Sequence, residues 1–163
     1  MQNYYNFCIN YANEFSADSP SIVMMGRTGL GKTHLSLSIA KTVASSEKSN
    51  FRVVYAPAQK LVSELEREHF SFSGTNTAMR KYTECDLLII DDLGAEFTSQ
   101  FTTAAIGNLI NERLYEKRPT IISTNLSVKE LTERYSERTA SRILGEYKRL
   151  LFVGEDIRFL KNR

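Results

Sequence analysis

No apolar run in this sequence approaches the roughly 20 residues that a membrane-spanning helix requires; the longest, such as Leu87 to Ile90, are short, and the N-terminus lacks a basic-then-apolar signal layout. A cytoplasmic chain with no membrane partner is expected. There are only two cysteines, Cys8 and Cys85, without paired metal-ligand spacing, so they are expected to be small buried apolar groups and not a disulfide or a metal site. The two histidines, His34 and His69, are isolated from one another. A large excess of one charge is also missing: 21 Lys and Arg stand against 19 Asp and Glu, a net charge of +2, which excludes a broadly basic surface and confines any DNA contact to a local patch. No internal repeat is visible. What remains is ordinary for a globular domain, with 42% hydrophobic and 25% charged residues over 163 positions. That length suits a single packed domain, residues 1–163, with a helix and linker over 1–20 and the core over 21–163.

Along the chain, strand-like and helix-like segments alternate. Phe7, Tyr11 and Phe15 recur at helical spacing within Met1 to Phe15, and Asp18, Ser19 and Pro20 then supply turn chemistry before a short apolar strand, Ile22 to Met25. Leu35, Ile39 and Val43 form one stripe of a helix that ends in the polar run Ser45 to Asn50. Phe51 to Tyr55 reads as a second strand. Pro57 suits the first turn of a helix carrying Leu61 and Leu65, and Ser71 to Thr77 reads as a loop, a candidate mobile segment. Leu87 to Ile90 has the continuous apolar character of a strand covered on both faces. A long helix begins near Phe101, Ala105 and Leu109, and a fourth strand spans Thr120 to Ser123. Ser127 and Glu130 make a capping box for the next helix, a further helix near Thr139 to Leu144 ends at Gly145, and Arg149 to Val153 is a fifth strand. Such alternation predicts an α/β fold of three layers around a five-stranded parallel sheet.

The segment Gly26-Arg27-Thr28-Gly29-Leu30-Gly31-Lys32-Thr33 fits G-x-x-x-x-G-K-[ST] at every fixed position, after a strand and at the start of a helix. Glycines let backbone N–H groups turn inward around a phosphate, the helix N-terminus favours the same anion, Lys32 adds a point charge, and Thr33 offers a hydroxyl to Mg²⁺. His34 follows directly, either facing the nucleotide or lying on the helix surface. A second carboxylate for the metal is found at the end of the apolar strand, in Leu87-Leu88-Ile89-Ile90-Asp91-Asp92. Asp91 is the expected Mg²⁺ partner and Asp92 the group that polarises the attacking water, the alternative being a solvated strand end. A whole strand, Phe51 to Tyr55, comes between the glycine loop and this acidic strand, as in the ATPase branch that includes AAA+ motors. No guanine-specific Asn-Lys-x-Asp signature is present, so ATP is expected over GTP.

Three further features resemble the AAA+ domain of the DnaC/DnaI type of bacterial replicative-helicase loader and its IstB-like relatives, over essentially the whole chain. Thr120-Ile121-Ile122-Ser123-Thr124-Asn125 is similar to a sensor-1 strand, which implies that Asn125 helps orient water against the γ-phosphate; an Asn there is also an ordinary turn cap. Arg138 and Arg142, four apart on a helix, resemble the arginine that reaches a neighbouring subunit's ATP site, Arg142 most closely, although two solvated helix charges need no function. Asp91-Asp92-Leu93-Gly94-Ala95-Glu96 resembles the loader version of the acidic motif, in which Glu96 positions Asp92 or a subunit contact, or is simply an exposed turn acid.

The resemblance implies an ATPase that self-assembles into a ring or spiral, binds single-stranded DNA and engages a replicative helicase. A DNA contact is expected near Ser99 and Phe101, unless Phe101 only begins the apolar stripe with Ala105 and Leu109. Two alternatives are an IstB-type transposition helper that binds duplex DNA, and a nucleotide-dependent interaction module with little turnover. Two departures from the family pattern stand out. Few residues follow Arg142, so no helical lid is expected, and the chain starts close to the ATPase core, which suggests a shortened relative or loss of an N-terminal helicase-binding region.

Overall fold

A computed structural model describes residues 2–46, 50–71, 76–154 and 156. The chain runs through α1 (Gln2–Asn13), β1 (Ile22–Gly26), α2 (Lys32–Ala44), β2 (Val53–Pro57), α3 (Ala58–Phe70), α4 (Thr77–Glu84), β3 (Leu87–Leu93), α5 (Gln100–Tyr115), β4 (Thr120–Thr124), α6 (Val128–Glu146) and β5 (Lys148–Phe152). All five strands are parallel, in the order β2-β3-β4-β1-β5. The expected five-stranded parallel α/β sheet is therefore what the chain forms. The strand that separates the glycine-loop strand from the acidic strand in space is β4; β2 lies at the outer edge.

Side chains alternate across each strand, and the two sets define the two outer layers. Ile22, Met24, Leu87, Ile89 and Ile121 are buried under α1 and α2, against Cys8, Tyr11, Ile39 and Val43. Val23, Met25, Leu88, Ile90 and Ile122 are buried under α3 to α6, against Leu61, Leu65, Tyr82, Leu109, Tyr135 and Ile143. Both cysteines are buried and free, as their spacing predicts. Among the described residues no helix is long and apolar enough to cross a membrane.

Several boundaries differ from the sequence-based expectation, each for a physical reason. Phe51 lies outside β2 and stands edge-on to Phe15, ring centroids 4.9 Å apart, while the strand runs on to Pro57, paired in register with Asp91. Pro57 keeps an extended ψ of 136° and precedes α3 instead of occupying its first turn. Gly145 does not end α6, which continues to Glu146; the break comes earlier, at Ser136, whose φ of 74° and ψ of 153° separate two helical halves. The helix α4 was not foreseen at all. Its N-terminus rests on the Glu68 carboxylate, which accepts from the Ala78 N–H at 2.9 Å, and its last carbonyls are held by arginines from elsewhere: Arg113 donates to Tyr82 O at 2.8 Å and Arg52 to Glu84 O at 2.6 Å. The core of the expected 71–77 loop, residues 72–75, and the segment 157–163, on which the lid expectation bears, lie outside the described residues.

Candidate nucleotide site

The site forms where β1, β3 and β4 end on the same edge of the sheet, the carboxyl edge where open α/β sheets place their ligands. β1 stops at Gly26, packed so closely on β5 that a Cβ there would sit 2.3 Å from the Phe152 carbonyl oxygen. The loop then turns into α2 through Gly31, whose φ of 84° is strained for any side chain. Behind the loop Lys32 is buried, 6% exposed. Its ammonium donates to Gly26 O at 2.6 Å, Arg27 O at 2.8 Å and Asn125 Oδ1 at 2.8 Å. Burial pulls its pKa below the ordinary lysine range, while the nearby Asp92 and Asp91 charges act in the opposite direction.

Asp91, at the end of the apolar run, is buried and accepts three hydroxyl donors. Thr33 reaches Oδ1 at 3.1 Å, Ser123 the same oxygen at 2.5 Å, and Tyr55 reaches Oδ2 at 2.7 Å. The Tyr55 hydroxyl is held well above the usual tyrosine range, first by burial and then by its bond to Asp91. Asp92 follows in a different backbone state. Its φ is +55°, the left-handed region, and the β3–β4 register shifts between Ile90 and Leu93 around it. The Ser123 hydroxyl replaces the lost ladder partner by accepting the Asp92 N–H at 2.9 Å, and the Asp92 carbonyl accepts from Ala95 N at 3.0 Å. This turn lifts the Asp92 carboxylate into the cleft, where Asn125 Nδ2 donates to its Oδ1 at 2.7 Å.

A cleft of about 410 Å³ lies over these groups, lined by residues 28–34 with Leu37, Asp92, Ser123 and Asn125. Thr28, Gly29, Leu30, Gly31, Lys32, Thr33, His34, Asp92 and Asn125 thus come together at one cleft. Gly26 and Arg27 contribute through their carbonyls to Lys32, and the Arg27 side chain is exposed away from the cleft lining. His34 is exposed at the rim. Tyr55, Ser123 and Leu37 were missed by sequence reasoning. A signal for the first two existed, since strands of a parallel sheet end on one edge, and both residues lie close to such an end.

Other expected site residues lie elsewhere. Glu96 is no exposed turn acid: it is 2% exposed, accepts from Gly94 N at 2.9 Å, pairs with Arg134 at 3.3 Å and accepts the Tyr135 hydroxyl. It fixes the turn that follows Asp92 and does not face the cleft. Arg142 is half-buried and donates to Asn111 Oδ1 on α5, whereas Arg138 is exposed. The Ser99 hydroxyl caps α5, accepting from Thr102 N at 3.0 Å. Phe101 packs partly buried against the core, its ring 4.9 Å from His69 and 5.9 Å from Phe70, in keeping with the stripe reading of that residue.

The residues present fit Mg-ATP. A hydroxyl and a carboxylate 3.1 Å apart are hard oxygen donors, and Mg²⁺ commonly takes only one or two protein carboxylates beside the substrate phosphates. Among the described residues no cluster of three or more acidic, His or Cys side chains could hold a metal without such phosphates.

Comparison with known proteins identifies a family and related folds. The family model for the IstB-like ATP binding protein matches residues 11–153. The replicative helicase loader DnaC of Escherichia coli K12 is 28% identical over 135 residues, covering 82% of this chain and 54% of that protein. A Bacillus thuringiensis subsp. berliner protein of insertion sequence IS232, described as ATP-binding, is 31% identical over 131 residues, covering 80% of this chain and 50% of its own length. The chain therefore spans about half the length of these relatives. In fold it is similar to a crystal structure of the DnaC helicase loader, with a TM-score of 0.80, 23% identity and coverage of 93% of this chain and 89% of that one. It is also similar to domain III of the Thermotoga maritima replication initiation protein DnaA, with a TM-score of 0.81, 23% identity and coverage of 99% and 65%.

Proposed function

The chain belongs to the IstB-like ATP-binding protein family, and on that premise we propose that it hydrolyses Mg-ATP in this cleft and acts as a helicase-loader ATPase in DNA replication. The fold is that of an AAA+ P-loop domain, related both to DnaC loaders and to an insertion-sequence ATP-binding protein. The observation that carries the reading is the convergence of Lys32, Thr33, Asp92 and Asn125 on one cleft, with Asp91 buried and hydrogen-bonded to Thr33.

In this reading the loop amides and the N-terminus of α2 bind the phosphates, and Lys32 supplies the counter-charge. Thr33 and Asp91 would hold Mg²⁺, which would supply positive charge against the phosphates. Tyr55 and Ser123 fix the Asp91 carboxylate. Asp92 draws a proton from water as the water oxygen bonds to the γ-phosphorus and the bond to the bridging oxygen breaks, releasing ADP. Asn125 orients that water. Arg138, the exposed arginine of the pair, completes a neighbouring subunit's site in a ring or spiral, with Arg142 as the alternative.

For DNA, the end of α3 offers a better platform than Phe101. Phe70 is 64% exposed, its ring tilted against Phe101 and edge-on to the exposed His69, with the exposed Arg67 one turn earlier on the helix. Fluorescence anisotropy with a single-stranded oligonucleotide and the matching duplex, with and without ATP, tests the role. A loader should prefer the single strand, and Phe70→Ala should weaken it by about 1–3 kcal/mol. Preference for the duplex would favour the transposition-helper reading, which the similarity to the IS232 protein supports. The shared site is tested by mixing Arg138→Ala with Lys32→Ala protein. Partial return of ATP hydrolysis is expected; normal hydrolysis by Arg138→Ala alone would move the finger to Arg142, and continued inactivity in demonstrated assemblies would overturn the shared site.

A further inference from the structure

We propose that the left-handed break at Ser136 is a positioning element for the arginine that completes a neighbouring subunit's site: it sets the direction of the second half of α6, which carries Arg138 and its alternative Arg142. The inference rests on the shared-site reading above and adds what holds that arginine in place.

Ser136 has a φ of 74° and a ψ of 153°, a combination essentially confined to glycine, and it stands inside a helix of 19 residues. A serine persists in that conformation only where its surroundings impose it. The imposition is visible on both sides. Before the break, Arg134 and Tyr135 are both held by the buried Glu96: the guanidinium donates to Oε1 at 3.3 Å and to the Glu96 carbonyl, and the Tyr135 hydroxyl donates to Oε1. The Thr103 hydroxyl, on α5, donates to the Arg134 carbonyl at 3.3 Å. After the break, Thr139 is buried so closely on α5 that a Cβ at Gly107 would lie 3.0 Å from its Oγ1, and one turn further along Arg142 donates to Asn111 Oδ1.

The first half of α6 is thus referenced to the turn after β3, and the second half to α5. Ser136 is the joint between them, its hydroxyl donating to Thr139 Oγ1 at 3.4 Å and accepting from the Thr139 N–H at 3.5 Å in the manner of a helix N-cap. Ser136, Glu137 and Arg138 are all exposed, so the corner faces outward and Arg138 lies in the first turn beyond it. Among the described residues, none from α6 lines the cleft of its own subunit. A change at the joint therefore alters what this subunit offers to another and leaves its own nucleotide pocket intact.

The test compares Ser136→Ala with Ser136→Gly in the whole chain. Both lack the capping hydroxyl, but alanine favours a continuous helix whereas glycine keeps the break without strain. ATP binding by calorimetry should match the parent in both. In assemblies demonstrated by light scattering, Ser136→Ala should hydrolyse ATP about 10- to 100-fold more slowly than the parent, the scale of a small misplacement of a reacting group, while Ser136→Gly retains hydrolysis. Mixing separates positioning from damage. Ser136→Ala should regain activity with Lys32→Ala protein, which offers an intact arginine, and not with Arg138→Ala protein, which offers none; Arg142→Ala takes that place if it proves the inactive one. Equal hydrolysis by the alanine and glycine variants, no recovery with Lys32→Ala, or recovery with the arginine variant overturns the proposal. Should Ser136→Ala not fold, Gly107→Ala, which presses on Thr139 from α5, is read in the same mixtures against the same outcomes. Normal hydrolysis by assembled Arg138→Ala and Arg142→Ala proteins alike would overturn the shared site itself, and the positioning role with it.

Discussion

Two cations are buried at opposite ends of the same sheet. Lys32 lies at the carboxyl edge, 6% exposed, and Arg113, in the last turn of α5, lies near the starts of β3 and β4 with no exposure at all. Neither forms an ion pair among the described residues. Both are satisfied by oxygen acceptors, as buried charge must be, and burial pulls both below their ordinary pKa. The difference lies in what the acceptors are attached to. Arg113 meets Tyr82 O, Thr83 O, Cys85 O and Pro119 O, all main-chain, with the buried Thr120 hydroxyl at 2.7 Å. That set ties α4, the entry to β3 and the entry to β4 into one corner. Lys32 has one acceptor on an exposed, rotatable side chain. A buried cation is a rivet when its partners are rigid and an instrument when one of them is not.

Five substitutions break or sharpen this contrast. The largest effect is expected for Asp92→Asn, which should slow ATP hydrolysis by about 10²- to 10⁴-fold. Binding of Mg-ATP measured by calorimetry should stay within a few-fold of the parent, and unchanged turnover would move the base elsewhere. Next, Arg113→Met leaves the buried carbonyls of the corner without a donor and should cost about 3–5 kcal/mol in urea unfolding. Lys32→Ala is its mirror image: ATP affinity is lost while the urea midpoint barely shifts. If the two variants behaved alike, the distinction between rivet and instrument would be wrong.

Tyr55→Phe is a smaller perturbation, removing one of three donors to Asp91. It should weaken Mg-ATP several-fold and leave ATP binding in excess EDTA unchanged, by about 1 kcal/mol for one hydrogen bond; equal loss in both conditions would make Tyr55 a mere packing group. The smallest effect lies at α4, where Lys81 and Tyr82 hydrogen bonds lower the pKa of Glu64 from the ordinary 4.5. A depressed carboxylate contributes stability above its unfolded pKa and loses it as pH falls through the lower folded value. The parent should therefore weaken below about pH 4.5, with Glu64→Gln showing a flatter acid limb in urea midpoints measured against pH.

What the sequence made legible was local. The glycine loop, the two acids and the strand ending in Asn125 each state their chemistry within a few residues, and the two faces of the sheet follow from side-chain alternation. What it concealed depends on register. Tyr55 is joined to Asp91 only because β2 pairs with β3 so that Pro57 stands opposite Asp91, and no spacing along the chain records that. Ser123 was read as part of a strand, yet its hydroxyl serves both Asp91 and the Asp92 backbone. The helix α4 spans 8 residues with Tyr82 and Thr83 buried, too short for periodicity to stand out, and its ends are satisfied by Glu68, Arg52 and Arg113 from distant positions. The burial of Glu96 against Arg134 and Tyr135 of α6, and the bond from Arg142 to Asn111 on α5, are likewise contacts between distant positions that no local motif records.

The left-handed turn at Asp92 constrains what the site can become. Aspartate and asparagine tolerate that conformation because their short polar side chains bond to the nearby backbone, whereas longer side chains pay about 1–2 kcal/mol for it. Many ATPases of this kind carry glutamate at the equivalent point, yet here the main chain favours the shorter acid. Substituting glutamate would lengthen the reach of the base while working against the bulge that presents it. Heritable change at this position is thus channelled toward aspartate and its amide. A single transition from G to A in the Asp92 codon would give asparagine without strain, so loss of the proposed turnover with retention of fold is an accessible evolutionary step.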